Sequence, residues 1–260
     1  MHFMMKKMAK RIFLSIPLML VLFLCGSQNF KTQASSEYRV YSPNEFSNIQ
    51  QNVAKANSNE QILFIVDFSN SMNERIHGVS KVDMARGTLA EILPKIPPNI
   101  KTGLRVYGYK SGFTYLQGCQ ASKLLVPMIP NNPQTILGAL YATNAVGWTP
   151  ITYSLKHAIE NDFAGHTGLK HIILLTDGGE NCDESPCTFV IELMKQRDDV
   201  KIDVIAFDVH DVEANNQLRC TALMTRGKFL PANSQESLSK SLFESVGVTK
   251  EVKGAIQIQP

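Results

Sequence analysis

Two apolar runs constrain the fold of this chain more than any other feature of its sequence. Residues 62–66 (ILFIV) and 172–175 (IILL) are almost entirely aliphatic and rich in β-branched side chains. Each run is bounded by polar residues, and an aspartate follows each one, Asp67 after the first and Asp177 after the second. Runs of this length and composition predict strands that are buried on both faces of a parallel sheet.

The segments between and after these runs predict helices that alternate with further strands. Apolar residues recur at helical spacing after the first strand, and Pro97-Pro98 ends that helix. Further helices are expected over 133–145, 150–163, from about 185, 214–224 and 235–246, and further strands over 103–109, 123–129, 202–209 and 228–230. The short connection between 109 and 123 indicates an antiparallel edge strand. The predicted fold class is therefore α/β: a doubly wound, mainly parallel, Rossmann-like sheet with one antiparallel edge strand and helices on both faces.

Oxygen-bearing side chains follow three of the predicted strands and loops. Asp67, Ser69 and Ser71 follow the first strand, Asp177 follows the second, and Thr149 precedes Pro150 as the expected N-cap of a helix. Right-handed crossovers place such loops at one edge of the sheet, where α/β proteins bind ligands. Carboxylates and hydroxyls suit a hard divalent cation. Taken singly, each residue also fits an ordinary turn or helix cap.

This combination resembles the von Willebrand factor A-type domain and its metal-ion-dependent adhesion site. The resemblance covers about residues 60–246 and implies that Ser69, Ser71 and Thr149 are hydroxyl ligands. It implies that Asp67 and Asp177 are carboxylates that bind the metal directly or through water. The expected cofactor is Mg²⁺ or Mn²⁺, with Ca²⁺ as an alternative. The neutral hydroxyls leave much of the cation's charge uncompensated, so the implied function is capture of an acidic residue of a protein partner, in adhesion or another protein–protein interaction.

An enzyme and a metal-free structural module are the two alternatives to this interpretation. No general base or nucleophile accompanies the site, and neither a G-x-S-x-G elbow nor a phosphate-binding P-loop is present in the sequence, so we do not expect an enzyme. A phosphoryl-transfer enzyme of the haloacid-dehalogenase type would need a second aspartate where Ser69 stands. A metal-free structural module of an envelope complex is the main alternative.

The first 34 residues have the three parts of a secretory signal. A basic start precedes an apolar run over 12–24, and Thr32-Gln33-Ala34 offers small residues for cleavage. We therefore expect a signal peptide over 1–34, an N-terminal arm over 35–59, the domain over 60–246 and a tail over 247–260. The expected location is periplasmic or extracellular. Membrane association is expected only if Cys25 is lipidated, as in a lipoprotein, or if the signal stays uncleaved.

The net charge and the number of cysteines indicate which partners and which cysteine chemistry to expect. The 260-residue chain has a formal charge of +3, but five of its 26 basic residues lie in the signal; 21 then remain against 23 acidic residues, a net charge of −2. A nucleic-acid partner is therefore not expected. Four cysteines follow the signal, an even number typical of disulfides in exported proteins, whereas their spacing is poor for a zinc site. We predict the pairs Cys182–Cys187 and Cys119–Cys220, out of three pairings that four cysteines allow.

Overall fold

The computed structural model of the protein describes residues 60–247. The predicted signal peptide, the N-terminal arm and all of the predicted tail after residue 247 lie outside these residues, so those predictions remain untested. None of the helices within 60–247 is long and apolar enough to cross a membrane.

A six-stranded sheet forms the centre of the described structure. Its strands lie in the order β5-β4-β1-β6-β7-β8, and only the edge strand β5 is antiparallel to its neighbour. The strands of the sheet are β1 (Gln61–Asp67), β4 (Lys101–Tyr107), β5 (Ser122–Pro130), β6 (Lys170–Thr176), β7 (Val200–Phe207) and β8 (Phe229–Ala232), and a separate two-stranded hairpin contains β2 (Arg75–Ile76) and β3 (Val79–Ser80). The predicted fold class is confirmed, including its one antiparallel edge strand.

Within residues 60–247, seven α-helices connect and cover these strands. They are α1 (Lys81–Ile92), α2 (Tyr115–Cys119), α3 (Pro133–Ala142), α4 (Ile151–His157), α5 (Pro186–Met194), α6 (Val212–Met224) and α7 (Gln235–Val246). The short helix α2 was not predicted; it lies in the connection between the antiparallel strands β4 and β5, where the sequence suggested only a loop. A π-helical turn, Ala158–Asp162, follows α4, so the predicted helix over 150–163 is not α-helical throughout.

Alternate side chains of β1 pack against the helices on opposite faces of the sheet. Ile62, Phe64 and Val66 pack into an apolar cluster with side chains of α1, α3 and α7, whereas Leu63 and Ile65 pack with side chains of α4, α5 and α6. All seven residues of β1 are buried. Burial on both faces explains why this strand is almost uninterruptedly apolar.

The central strands also fix where the candidate site can form. Strand β1 lies between β4 and β6; the chain leaves β1 toward β4, whereas it leaves β6 toward β7. The loops that follow β1 and β6 therefore diverge and leave a crevice at the carboxyl end of the sheet. Asp67 ends the first of these strands and Asp177 follows the second.

Two disulfides are present, but the predicted pairing is wrong. Cys119 at the end of α2 pairs with Cys182, and Cys187 in α5 pairs with Cys220 in α6. The prediction paired Cys182 with Cys187 because they are close in sequence. In the structure Cys187 lies in α5, which packs against α6, whereas Cys182 lies in the preceding loop beside α2. Contacts between elements, and not sequence distance, decide the pairing.

Candidate metal centre

Asp67 is held in a single orientation by three donors. Its Oδ1 accepts a hydrogen bond from the Ser69 N–H at 2.6 Å. Its Oδ2 accepts hydrogen bonds from the Tyr107 hydroxyl at 3.1 Å and from the Thr176 hydroxyl at 2.8 Å. The carboxylate has no solvent exposure. Asp67 therefore belongs to the buried end of β1, and its orientation is part of the sheet's packing.

Three further oxygens form a continuous chain beside Asp67. The hydroxyls of Ser69 and Ser71 lie 3.0 Å apart. The Ser71 hydroxyl donates to Asp177 Oδ1 at 2.8 Å, across 106 residues of sequence. The structure therefore brings together four of the five predicted ligand residues through direct contacts: Asp67, Ser69, Ser71 and Asp177.

The fifth residue, Thr149, belongs to a loop that is tied to the Asp67 loop by backbone hydrogen bonds. Gly147 forms an isolated parallel bridge with Ser69, and its carbonyl accepts from the Asn70 N–H at 3.0 Å. The Gly147 N–H in turn donates to the carbonyl of Gly108 at 2.7 Å. A Cβ at Gly147 would collide with the backbone at Gly108 and Lys110. Glycine is thus required where these loops meet, two residues before Thr149.

The predicted helix cap at Thr149 is wrong. Helix α4 begins at Ile151, its N-cap position is Pro150, and no side chain of that residue caps it. Instead Glu180 Oε2 accepts from the Thr152 N–H at 2.7 Å and so satisfies the start of the helix from another loop. The Thr149 N–H donates to Asn181 Oδ1 at 2.8 Å. Within residues 60–247 the Thr149 hydroxyl makes no hydrogen bond, so it is available to a ligand.

The two carboxylates of the centre are electrostatically unfavourable to each other. Burial, and then the charge of Asp177, raise the pKa of Asp67 to about 6, against the hydrogen bonds that favour its ionised form. Burial also raises the pKa of Asp177, although the hydrogen bond from Ser71 and the charge of Lys81 oppose this shift. A cation placed beside the two carboxylates would offset both the cost of burial and the repulsion between them.

Sequence reasoning missed one charged residue of this centre, Lys81. Its Nζ lies 3.2 Å from Asp177 Oδ2, 2.7 Å from Glu74 Oε2 and 3.3 Å from Asp208 Oδ2. Burial alone lowers the pKa of Lys81, but the bonds to Glu74 and Asp177 outweigh burial, so the pKa is raised. Lys81 is the first residue of α1, where the helix dipole disfavours a cation. A cation at that position marks Lys81 as unusual, but the sequence does not show that its partner is Asp177.

The residues present fit a small divalent cation. Ligands of Mg²⁺ at about 2.1 Å in octahedral geometry lie about 3.0 Å from their neighbours. The separations of 3.0 Å between Ser69 and Ser71 and of 2.8 Å between Ser71 and Asp177 match this spacing. Within residues 60–247 no group of three His, Cys, Asp or Glu side chains could hold a metal. The centre therefore depends on hydroxyl ligands beside two carboxylates.

Exposed apolar side chains border the Thr149 loop. We define the apolar rim as Phe113, Tyr115, Leu116 and Trp148, whose exposed fractions range from 39% to 102%. The Trp148 ring packs edge-on against Tyr115, with centroids 5.4 Å apart, and a Cβ at Gly118 would collide with the Trp148 indole. Trp148 thus packs on α2 with one face and exposes part of its surface.

One disulfide fixes the apolar rim to the centre. Cys119 at the end of α2 is bonded to Cys182, in the same loop as Glu180 and Asn181. The Tyr115 hydroxyl donates to Asp183 Oδ2 of that loop at 2.7 Å. The rim, the Thr149 loop and the Asp177 loop are therefore joined by covalent and hydrogen bonds at one end of the sheet.

Comparisons with known proteins agree with this fold. No protein-family model matches the chain. Among solved structures, the zinc-occupied MIDAS form of proximal thread matrix protein 1 from the mussel byssus superimposes with a TM-score of 0.56 at 20% identity and covers 74% of this chain and 46% of its own. A von Willebrand factor type A protein from Catenulispora acidiphila gives 0.56 at 16% identity, covering 72% and 42%. The pilus adhesin SpaC of Lactobacillus rhamnosus GG gives 0.57 at 14%, covering 72% and 30%. The chain spans less than half the length of each of these solved chains.

The fold and the arrangement of the loops at its carboxyl end define a von Willebrand factor A-type domain. Two proteins of Bacillus subtilis (strain 168) are similar in sequence, both described as uncharacterized. YwmC is 31% identical over 191 residues, which cover 72% of this chain and 82% of YwmC, and YwmD is 26% identical over 192 residues, which cover 72% and 84%. The chain belongs to the family of YwmC.

Proposed function

We propose that this protein is an exported, non-enzymatic binding domain that holds a divalent cation and uses it to capture an acidic residue of a protein partner. Asp67, Ser69, Ser71, Thr149 and Asp177 would hold the cation, Mg²⁺ or Mn²⁺. The single observation that carries the proposal is the chain of oxygens from Ser69 through Ser71 to Asp177, spaced as neighbouring ligands of such a cation.

The chemistry of this centre favours binding over catalysis. When bound, a divalent cation supplies an electrophilic centre that accepts an anionic oxygen. Asp67 is fully buried and accepts hydrogen bonds from Ser69, Tyr107 and Thr176, so it is fixed in position as a ligand and poorly placed to take a proton from a substrate. The hydroxyls of Ser71 and Thr176 donate to Asp177 and Asp67, and the proposal assigns both carboxylates to the metal, so neither is left as a general base for a nucleophile.

The apolar rim supports a protein as the partner. Aromatic and aliphatic side chains are concentrated at protein–protein contacts, and Trp and Tyr contribute most strongly to their affinity. An acidic residue that reaches the centre would bring its neighbouring residues onto Leu116 and Trp148. The neighbours with solved structures include a pilus adhesin and a matrix protein, and the two disulfides are typical of exported proteins.

Lys81 favours a second candidate function, a metal-free structural module. Its ammonium lies 3.2 Å from Asp177 and already offsets part of the negative charge that a metal would offset. In this case the von Willebrand factor A-type fold would present the apolar rim without a cation. A partner that binds equally well in chelator would select this candidate.

Calorimetric titration of residues 60–247 with Mg²⁺ and with Mn²⁺ tests the proposal. We expect one bound cation per protein molecule. Ser71→Ala should weaken binding at least tenfold, because it removes the middle oxygen of the row formed by Ser69, Ser71 and Asp177. Thr167→Ala is the matched control, since it removes an exposed hydroxyl outside the centre. The absence of cation binding by the unsubstituted protein would contradict the proposal.

A second experiment tests the partner. Affinity capture from the native envelope, with the protein as bait, should retain a partner in Mg²⁺ and release it in chelator. Leu116→Ser in the rim should reduce capture, whereas Leu223→Ser, at a similarly exposed leucine in α6, should not. Retention in chelator would instead support the metal-free module.

A further inference from the structure

Lys81 is one of few buried lysines in the described structure, and its surroundings are unusual. Only 4% of its side chain is exposed. Its Nζ contacts carboxylates from three separate segments: Glu74 after β1, Asp177 after β6 and Asp208 after β7. The ammonium therefore occupies a position where oxygens from three loops converge, immediately beside the candidate metal centre.

The two oxygens of Asp177 point to different partners. Oδ1 accepts from Ser71 at 2.8 Å, on the side of the predicted ligands. Oδ2 accepts from Lys81 Nζ at 3.2 Å. One carboxylate thus connects the chain of ligand oxygens to a permanent cation, so a charge added on one side is felt on the other.

The other two carboxylates retain the ammonium in this position. Glu74 makes the shortest contact with Lys81, although 67% of its side chain is exposed, and Asp208 adds a contact at 3.3 Å. The backbone reinforces the arrangement, because the Lys81 N–H donates to the carbonyl of Glu74 at 2.9 Å. The lysine is therefore fixed at both ends and does not depend on Asp177 alone.

We propose that Lys81 is a built-in competitor of the metal, a positioning residue whose ammonium shares Asp177 with the bound cation and thereby sets a low affinity for it. This inference rests on the proposed function, because it concerns the affinity of the same centre. A divalent cation that shares Asp177 with the ammonium is repelled by it, which by Coulomb's law lowers the binding constant on the order of tenfold even at the dielectric constant of water.

The test is calorimetric titration of the purified protein and of its Lys81→Met variant with Mg²⁺ and Mn²⁺. We expect Lys81→Met to bind each cation at least tenfold more tightly, a difference of about 1.4 kcal/mol. The matched control is Lys170→Met, which removes another buried ammonium, paired with Asp199 at the opposite end of the sheet. Its affinity for the cations should stay unchanged. Unchanged or weaker binding by Lys81→Met would overturn the inference.

Two further variants show whether an effect of Lys81→Met comes from the lost charge, from the changed shape of the side chain or from a failure to fold. Lys81→Arg keeps the charge and should bind the cations within about threefold of the unsubstituted protein. If Lys81→Met does not fold, Lys81→Gln takes its place, and its melting temperature should rise more on addition of Mg²⁺ than that of the unsubstituted protein. If every neutral variant stays unfolded in saturating Mg²⁺, Lys81 is a structural residue and the inference is wrong.

The outcomes for Lys81 and for the proposed function can be told apart. If the unsubstituted protein binds no cation but Lys81→Met does, the inference holds and metal-dependent capture by the native protein fails. If both bind with equal affinity, the proposed function stands and the inference fails. If neither binds, both are wrong.

Discussion

The two ends of the central sheet both bury an aspartate, but the surroundings act on the two carboxylates in opposite directions. At the carboxyl end, burial and Asp177 raise the pKa of Asp67 to about 6. Toward the amino end, Asp203 is equally buried and accepts from His171 at 3.0 Å, from Ser245 at 2.8 Å and from the Lys228 N–H at 2.8 Å. Burial alone would raise the pKa of Asp203, but His171 and the other donors hold it well below its usual range.

This difference separates a structural cluster from a candidate binding centre. Asp203 accepts from three donors and lies 3.3 Å from the Lys201 ammonium, so its negative charge is stabilised within the folded protein. Asp67 faces a second carboxylate, Asp177, and among residues 60–247 the pair shares a single nearby ammonium, that of Lys81. Asp203 therefore stabilises the fold at the amino end of the sheet, whereas Asp67 at the carboxyl end has an unfavourable electrostatic environment. Buried carboxylates with a raised pKa are typical of functional sites.

The largest effect should come from removing the disulfide at the carboxyl end. Cys119→Ser together with Cys182→Ser opens a 63-residue separation and should lower the free energy of unfolding by about 4 kcal/mol on the chain-entropy estimate. It should also weaken cation binding, because the loop with Glu180 and Asn181 supports the Thr149 loop. Denaturant unfolding and calorimetry measure the two effects.

The matched control is Cys187→Ser with Cys220→Ser. This bridge joins α5 and α6 over 33 residues, so its loss should lower stability slightly less and leave cation affinity unchanged. Equal loss of cation affinity in both double variants would show that the carboxyl end has no special dependence on its own disulfide.

The next effect concerns the amino end. Asp203→Asn removes a buried charge that His171 and Ser245 stabilise, and it should lower the free energy of unfolding by about 3 kcal/mol. Asp67→Asn, the same change at the carboxyl end, should cost far less in chelator because it relieves repulsion with Asp177. Urea unfolding of both variants at pH 7 checks this contrast. An equal loss for the two variants would remove the distinction between the ends.

A smaller effect should appear in the pH dependence of stability. The folded pKa of Asp67, about 6, lies above its unfolded value of about 3.9, so its protonated form stabilises the folded state and this contribution is lost as pH rises through 6. In chelator, raising the pH from 5 to 7 should lower the free energy of unfolding by about 1 kcal/mol. Asp67→Asn should reduce that change by at least half.

Asp203 should behave in the opposite sense. Its folded pKa is depressed, so its contribution is complete above about pH 4 and is lost as the pH falls further. Asp203→Asn should therefore leave the change between pH 5 and 7 intact and reduce the loss of stability below pH 4. If the free energy of unfolding of the unsubstituted protein does not change between pH 5 and 7, the raised pKa of Asp67 is contradicted.

The smallest effect on stability is expected at Thr149. Because its hydroxyl does not cap α4, Thr149→Ala should change the free energy of unfolding by less than about 0.5 kcal/mol, smaller than the loss of about 1 kcal/mol typical of a cap. Cation binding should weaken nonetheless. A loss of 1 kcal/mol or more, measured in chelator, would restore a structural role for this hydroxyl.

The strands of the sheet and the order of the loops could be predicted from the sequence, because their patterns repeat along the chain. Buried parallel strands need long apolar runs, so 62–66 and 172–175 were recognisable, and the order of the loops followed from the handedness of crossovers. Of the candidate ligands, Asp67, Ser69, Ser71 and Asp177 do meet at one end of the sheet. Whether these residues bind a metal stays a prediction, as do the domain bounds.

Features that depend on contacts between distant elements could not be read from the sequence. The disulfide pairing depends on α2 lying beside the Cys182 loop, and α2 itself was not predicted. Glu180 caps α4 from another loop, a role that was assigned to Thr149 on local grounds. Lys81 reaches Asp177 across 96 residues, which no local pattern encodes.

The disulfide connectivity also has a kinetic consequence during maturation. Cys182 and Cys187 are only five residues apart, and short loops close faster and at lower entropic cost than the 63- and 33-residue separations of the native bonds. An oxidant that meets the unfolded chain should therefore join Cys182 to Cys187 first. That non-native bond has to be exchanged before α2 can dock beside the Asp177 loop, so recovery of the native protein from the reduced state should be accelerated by a disulfide isomerase.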